Sequence, residues 1–262
     1  ILNVKNPEEV KIDDDFAKNL GAKDLKDLKD LITKQINEEF KNSLDALSSR
    51  QILDAIDKIN LNYSIINRDW EDITFDGDKY YIADIGNNYA TRKNLIIYIL
   101  DKKLNIEDSI KIKYKNQKSF DYLKLNSFDA EALISIGDSL AIFSKNRKDL
   151  SSELYIFPKT PGEYKLEPIK SFNVNSLITG GDYNENLKLL ALSAYDFDSD
   201  EQYIHVLKNF DLNKINFLNF TKFTLPIRDV QIEAIKIIDN RTFWLTSESE
   251  RFGYPKLIKI IL

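Results

Sequence analysis

Three glutamates recur in one frame along this chain. Asp69-Trp70-Glu71-Asp72-Ile73, Asp129-Ala130-Glu131-Ala132-Leu133 and Gln231-Ile232-Glu233-Ala234-Ile235 each set a Glu between a polar residue and an aliphatic one. Gly180-Gly181-Asp182-Tyr183 falls where a fourth member is due, so Glu71, Glu131, Asp182 and Glu233 read as one series. If equivalent positions converge, the carboxylates repel one another, and sharing protons or holding a cation relieves the repulsion. A hard ion that takes many oxygen ligands suits such a set, which makes calcium the expected metal.

Basic and amide side chains follow the frames. Lys145, Asn146 and Arg147 come after the second one, where they can meet an anionic ligand such as phosphate. A cation held by the carboxylates would polarise phosphoryl oxygens and acidify a bound water, with Glu71, Glu131 or Glu233 as general base. In the other reading the glutamates accept backbone hydrogen bonds from neighbouring repeats and lock them together. Asp84-Ile85-Gly86-Asn87-Asn88, with Arg92 after it, either presents backbone groups to a ligand or is a hairpin turn with Asx bonding. Asp84, Asn87 and Arg92 are therefore candidates for ligand contact, as is Glu248 at the end of Thr246-Ser247-Glu248.

Other chemistry is poorly supplied. Asp196-Phe197-Asp198-Ser199-Asp200 opens like a calcium loop, but Glu201 stands where the loop needs Gly and Leu207 where it needs Glu, so a solvated acidic turn is expected. The single histidine, His205, has no Gly-x-Ser-x-Gly elbow to serve. Zero Cys excludes thiolate catalysis and cysteine metal sites. Trp70 and Trp244 are expected to pack between repeats.

The elements that would position the carboxylates are short strands. Lys79–Ile82, Leu95–Leu100, Leu140–Phe143, Leu154–Phe157, Leu189–Leu192, Tyr203–Leu207 and Phe243–Leu245 are rich in β-branched and aromatic residues. Asp76-Gly77-Asp78, Gly137-Asp138 and Asp239-Asn240 stand before three of them as hairpin turns. A repeat of roughly 50 residues with about four strands matches a propeller blade. The chain is thus mainly β, a β-propeller of about five blades with four repeats visible, and Ile59–Ile66 would be the outer strand of a fifth. The last repeat is short of a strand, which Ile1–Lys5 could supply.

Residues 1–58 differ from the propeller region, 59–262. Leu25, Leu28, Ile32, Ile36, Phe40, Leu44 and Leu47 draw one apolar stripe down a helix. Ser48 and Gln51 then form a capping-box pattern ahead of Ile52, Leu53, Ile56 and Ile59, so a helical hairpin is expected, packed on the propeller or on another chain.

The frames, together with Ala83–Asn88, Ser144-Lys145-Asn146 and Thr179–Tyr183, make residues 59–262 resemble the secreted propellers related to esterase-like phytases and SdiA-regulated proteins. The resemblance implies an extracytoplasmic protein, periplasmic, secreted or surface-anchored, with a carboxylate-lined channel; it suggests calcium binding or phosphoester hydrolysis. The chain departs from that group before Ile59.

With 37 Lys+Arg against 42 Asp+Glu and a net charge of -5, nothing favours nucleic acid or anionic membranes. No apolar run reaches the roughly 20 residues of a transmembrane helix. Two functions are expected: binding of a small anionic or metal-bridged ligand in the channel, extending to calcium-dependent phosphoester hydrolysis, or a non-catalytic interaction with a protein partner through the helical segment.

Overall fold

Strands built from continuous apolar runs must be covered on both faces, and stacked blades do this. In the computed structural model, which describes residues 67–217, 219–228, 230–248 and 255–262, four sheets follow one another along the chain, antiparallel but for one strand added to the edge of the first. The first holds β1 (Trp70–Phe75), β2 (Tyr80–Asp84), β3 (Leu95–Leu100) and β4 (Ile106–Tyr114). The second holds β5 (Ala130–Ile136), β6 (Ser139–Ser144), β7 (Ser151–Pro158) and β9 (Lys170–Asn173). The third holds β10 (Leu177–Asn184), β11 (Leu189–Tyr195), β12 (Gln202–Lys208) and β13 (Thr221–Leu225); the fourth holds β14 (Ile232–Ile237), β15 (Thr242–Ser247) and β16 (Lys256–Ile261).

Among the described residues, then, the chain is a propeller arrangement of four blades. The expected helical hairpin, the strand at Ile1–Lys5 and the fifth-blade strand at Ile59–Ile66 lie outside the described residues. All seven strands read from composition are present, whereas β4, β8 (Gly162–Leu166), β9 and β13 were not singled out. These four mix Lys, Glu and Ser with their apolar positions, as outer strands with one wet face do.

Alternate residues of one strand feed different cores. On β6, Leu140 and Ile142 point into a cluster with Ile97, Ile110 and Ile112 of the first blade, while Ala141 and Phe143 point into a second cluster with Ile178 and Leu190 of the third. On β11, Leu190 and Leu192 join that second cluster, and Leu189 and Ala191 join a third with Ile235, Phe243 and Ile258 of the fourth blade. Each fully buried aliphatic side chain contributes about 1.5–3 kcal/mol. Trp244 is buried and Trp70 half-buried, yet neither belongs to these three clusters, so the expected wedging of tryptophan between blades is not what fills them.

The inner strands pack β1 on β5, β5 on β10 and β10 on β14. Tight turns set the register. In the β1–β2 hairpin, Gly77 takes a φ of 96°, and Asp76 Oδ1 accepts from the amides of Asp78 and Lys79 at 2.9 and 2.8 Å. One element breaks the meander: β8 leaves the second blade and pairs in parallel with β4 of the first, from Ile110 opposite Gly162 to Tyr114 opposite Leu166.

Candidate functional site

Every inner strand carries a β-bulge near its start, and a bulge re-aims the residue it displaces. The irregularities fall between Trp70 and Asp72, Ala130 and Ala132, Ile178 and Gly180, and Ile232 and Ala234. They single out Glu71, Glu131, Thr179 and Glu233. The sequence frame therefore found three of the four positions, and its fourth member, Asp182, belongs elsewhere. Asp182 sits three residues along β10, where its Oδ2 accepts from the Ile237 amide at 2.8 Å and Oδ1 pairs with Lys236 at 3.0 Å. In its place Thr179 donates to the Ile232 carbonyl at 2.5 Å. Gly180 and Gly181 follow the bulge, and a side chain on Gly180 would collide with the Glu233 carbonyl of the next blade.

Around Glu131 the charges are closed. Lys145 Nζ donates to both carboxylate oxygens, at 2.8 and 2.7 Å, and lies 4.9 Å from the centre of the Tyr195 ring. Arg147 bonds Asp129 and also Asn88 Oδ1, and stands 3.8 Å from Glu131. Asp129, Glu131 and Lys145 are all buried. Burial raises the Glu131 carboxyl and the charges of Asp129 and Glu233 add to this, while Lys145 acts the other way.

Around Glu71 no basic side chain takes the matching position. The Gly86 amide donates to the Asp69 carbonyl, as Lys145 does to Asp129 and Glu248 to Gln231, so these three residues face equivalent points of three inner strands. In the first blade that residue has no side chain. The carboxylates of Glu71 and Asp69 instead occupy the space over Gly86, where any Cβ would strike them. Burial, then the charges of Glu131, Asp129 and Asp69, push the Glu71 carboxyl far above its ordinary range; Asp69 is raised too, chiefly by burial.

The remaining candidates lie around these carboxyls or apart from them. Asp84, fully buried, pairs with Arg92 at 2.7 Å and accepts from the Asp69 amide at 3.1 Å. Asn87 accepts from the Arg92 amide, donates to the Phe128 carbonyl, and its own amide donates to Asp129 Oδ1 at 2.6 Å. The Asp84–Asn88 segment thus joins the first two blades as an Asx-bonded turn. Asn146 is turned away, onto Ser151 and Glu153. Glu248 keeps its backbone bond to Gln231 and leaves its side chain exposed.

Asp72, next to Glu71, acts as a clasp that sequence reasoning passed over. Its Oδ2 accepts from the amides of Leu133 on β5 and Gly181 on β10, at 2.8 and 3.2 Å, and its Oδ1 accepts from Ile73 at 2.8 Å. One carboxylate so holds three blades, and burial still pushes it up to about 8. The backbone-locking role foreseen for the glutamates is performed by Asp72 and Asp182.

A cation site needs several oxygen ligands turned to one point. Among the described residues no group of three or more Asp, Glu, His or Cys side chains is so gathered. Glu131 faces Lys145, Asp182 faces the Ile237 amide, and Glu233 accepts from Gln231. Among the described residues these carboxylates are therefore not turned to one point. In the acidic turn, Asp196 Oδ1 accepts from the amides of Asp198 and Ser199. His205 is buried with Ser176 at 2.8 Å, and burial lowers it to about 3.

No family model matches the chain. Its N-terminal segment resembles trigger factors: 63% identity over 62 residues with that of Pelagibacter ubique, and 37% over 59 residues with that of Jannaschia sp.. These matches take 24% and 22% of this chain, which spans 13% of the length of either relative. Solved structures similar to the chain include an exo-β-1,3-galactanase of Phanerochaete chrysosporium with β-1,3-galactotriose, at a TM-score of 0.50 and 12% identity, covering 76% of this chain and 48% of that one. The propeller domain of the Trilobed protease of Pyrococcus furiosus is similar at a TM-score of 0.30 and 13% identity, over 74% and 57%. The likeness to the galactanase is one of fold alone.

Proposed function

We propose that the protein is a ligand-binding propeller that receives a positively charged group at Glu71 and Asp69, in the mouth of its channel. One observation carries this reading: the second blade supplies its own cation, Lys145, to Glu131, and the first blade has Gly86 at the equivalent place. Among the described residues this half-buried carboxyl pair has no ion pair of its own, although the charge of Arg92 acts on Asp69; such a pair keeps a proton, and an arriving cation releases it. An organic amine fits this need directly. A metal ion bridging to an anionic group is the other form of the same reading, with fewer ligands gathered for it.

Phosphoester hydrolysis, suggested by the resemblance to esterase-like phytases, has less support. Lys145, Arg147 and Arg92 are each bonded to a carboxylate, which leaves them poorly placed for a phosphate. The interaction reading rests on the N-terminal segment, the part similar to trigger factors, and predicts a concentration-dependent dimer or a captured partner that is lost when residues 20–58 are removed.

The test is a melting series with n-butylammonium, calcium chloride and p-nitrophenyl phosphate, on the wild type, Glu71→Gln and Gly86→Lys. A ligand at about 100 times its Kd adds roughly 2.7 kcal/mol. The amine should raise the melting temperature of the wild type alone. No amine shift refutes the reading; a calcium shift accompanied by phosphate release establishes the hydrolytic one instead.

A further inference from the structure

Beside the mouth lies an apolar platform that the site does not use. Tyr89, Tyr122, Leu123 and Leu125 are exposed by 49%, 67%, 49% and 60%. The two tyrosine rings stack at 4.7 Å with 19° between their planes. Single exposed apolar residues need no explanation, but a contiguous group of large ones marks a contact surface.

The platform is built, and its loops are tied. The Leu123 amide donates to the Tyr89 carbonyl at 2.9 Å. Asn126, buried, donates to the carbonyls of Asn88 and Leu123, both at 2.9 Å, and its own carbonyl accepts from the Arg147 amide. Gln117 bonds the Ala90 carbonyl at 2.7 Å. A surface ordered before binding loses little entropy when a partner arrives.

It is also continuous with the mouth. Tyr89 follows Asn88, whose side chain holds Arg147 at 2.5 Å, and Asn87 is bonded to Asp129. Among the described residues Asp84, Glu131 and Asp129 form ion pairs with Arg92, Lys145 and Arg147, whereas Asp69 and Glu71 form none, so an arriving cation can take the place of the proton they keep. A partner covering both regions must therefore be basic at one point and apolar beside it.

We infer that the partner is a polypeptide segment in which a lysine or arginine is flanked by large apolar residues. Its basic side chain enters the mouth over Gly86, and its apolar neighbours lie on Tyr89, Tyr122, Leu123 and Leu125. The inference rests on the reading of Glu71 as the receiving carboxyl. Four large side chains on two loops offer more surface than a small amine can cover, which favours a polypeptide.

Fluorescence anisotropy of labelled, blocked pentapeptides tests it, with central lysine flanked by leucine and phenylalanine, the same lysine flanked by serine and glycine, and norleucine in place of lysine. The full chain should bind the first at least tenfold more tightly than either control. A Tyr89→Ser/Tyr122→Ser double variant, exposed and so expected to melt like the wild type, should lose that advantage. Glu71→Gln should lose discrimination between lysine and norleucine. Unchanged binding by the tyrosine variant overturns the platform and leaves the mouth reading untouched. Loss in the tyrosine variant with full lysine preference in Glu71→Gln overturns the mouth reading and, with it, the assignment of the basic residue. Equal binding of all three peptides overturns the inference outright.

Discussion

Lys145 donates to both carboxylate oxygens of Glu131, at 2.8 and 2.7 Å, inside a mouth where Glu71 has only Gly86 at the matching position. A buried ion pair contributes little net stability while intact, but removing one partner strands the other. Lys145→Met should therefore cost about 3–5 kcal/mol. The Lys145→Met/Glu131→Gln double variant should recover much of this, read as a coupling energy from denaturant melts of the four proteins.

Gly86→Lys places an amine where the second blade has one. The atoms in its way are the ends of the flexible Glu71 and Asp69 side chains, which can move aside. Charged hydrogen bonds to these groups should raise stability at alkaline pH by about 1–3 kcal/mol. The gain should be smaller near pH 5, where Glu71, pushed up to about 10, is neutral in any case. A melt at each pH decides this, and equal effects at both would refute the assignment of Glu71 as the uncompensated charge.

Raised carboxyls set the alkaline limb of stability. The folded values of Glu71 and Glu131 lie above the ordinary 4.5, and Asp72 at about 8 lies above 3.8. The folded state thus binds more protons than the unfolded chain between those limits. Their contribution is complete below about pH 4 and is lost as pH rises through the folded values. Melting temperature should fall from mildly acidic to alkaline buffer, and Glu71→Gln should flatten that slope.

His205 sets the opposite limb. Its folded value of about 3 lies below the ordinary 6.5, because burial beside Ser176 disfavours the charged ring and Lys222 adds repulsion. Its contribution is present above about pH 6.5 and is lost as pH falls toward 3. A His205→Gln variant should be less stable at neutral pH and less sensitive to acid. An acid limb of undiminished steepness in that variant would assign acid unfolding to other groups.

Asp182→Ala leaves the Ile237 amide without its acceptor, which should cost about 1–3 kcal/mol. Asp72→Ala strips two inter-blade amides at once and should cost more. Urea melts give the comparison, and the reverse order would mean that Asp72 is not the principal clasp.

The second strands of the blades were legible because both their faces are buried: Leu140-Ala141-Ile142-Phe143 on β6 and Leu189-Leu190-Ala191-Leu192 on β11 are almost wholly apolar. The outer strands were not, since Ile106–Tyr114 mixes charged and apolar residues as a half-wet edge does. Glu71, Glu131 and Glu233 stood out because a bulge repeats a residue type as well as a shape. Thr179 escaped, being a different residue with the same displacement, and the more conspicuous Asp182 was taken for it. The division between Lys145 as a filled position and Gly86 as an open one depends on which amides pair across each blade, which spacing alone does not reveal. Tyr89 and Tyr122 lie too far apart in the chain for their stacking to be read from it.

The parallel pairing of β8 with β4 bears on how the molecule would carry load. Pulled between residues 67 and 262, the fourth blade would peel: among the described residues β16 is held along β15 alone, and its hydrogen bonds open one at a time. The first two blades are stapled by a strand that belongs to one and is bonded into the other, and separating them means shearing β4 from β8 over five residue pairs together. Extension in an optical trap should therefore show an early yield at the C-terminal blade and a later, stiffer event in which the first two blades fail as one body.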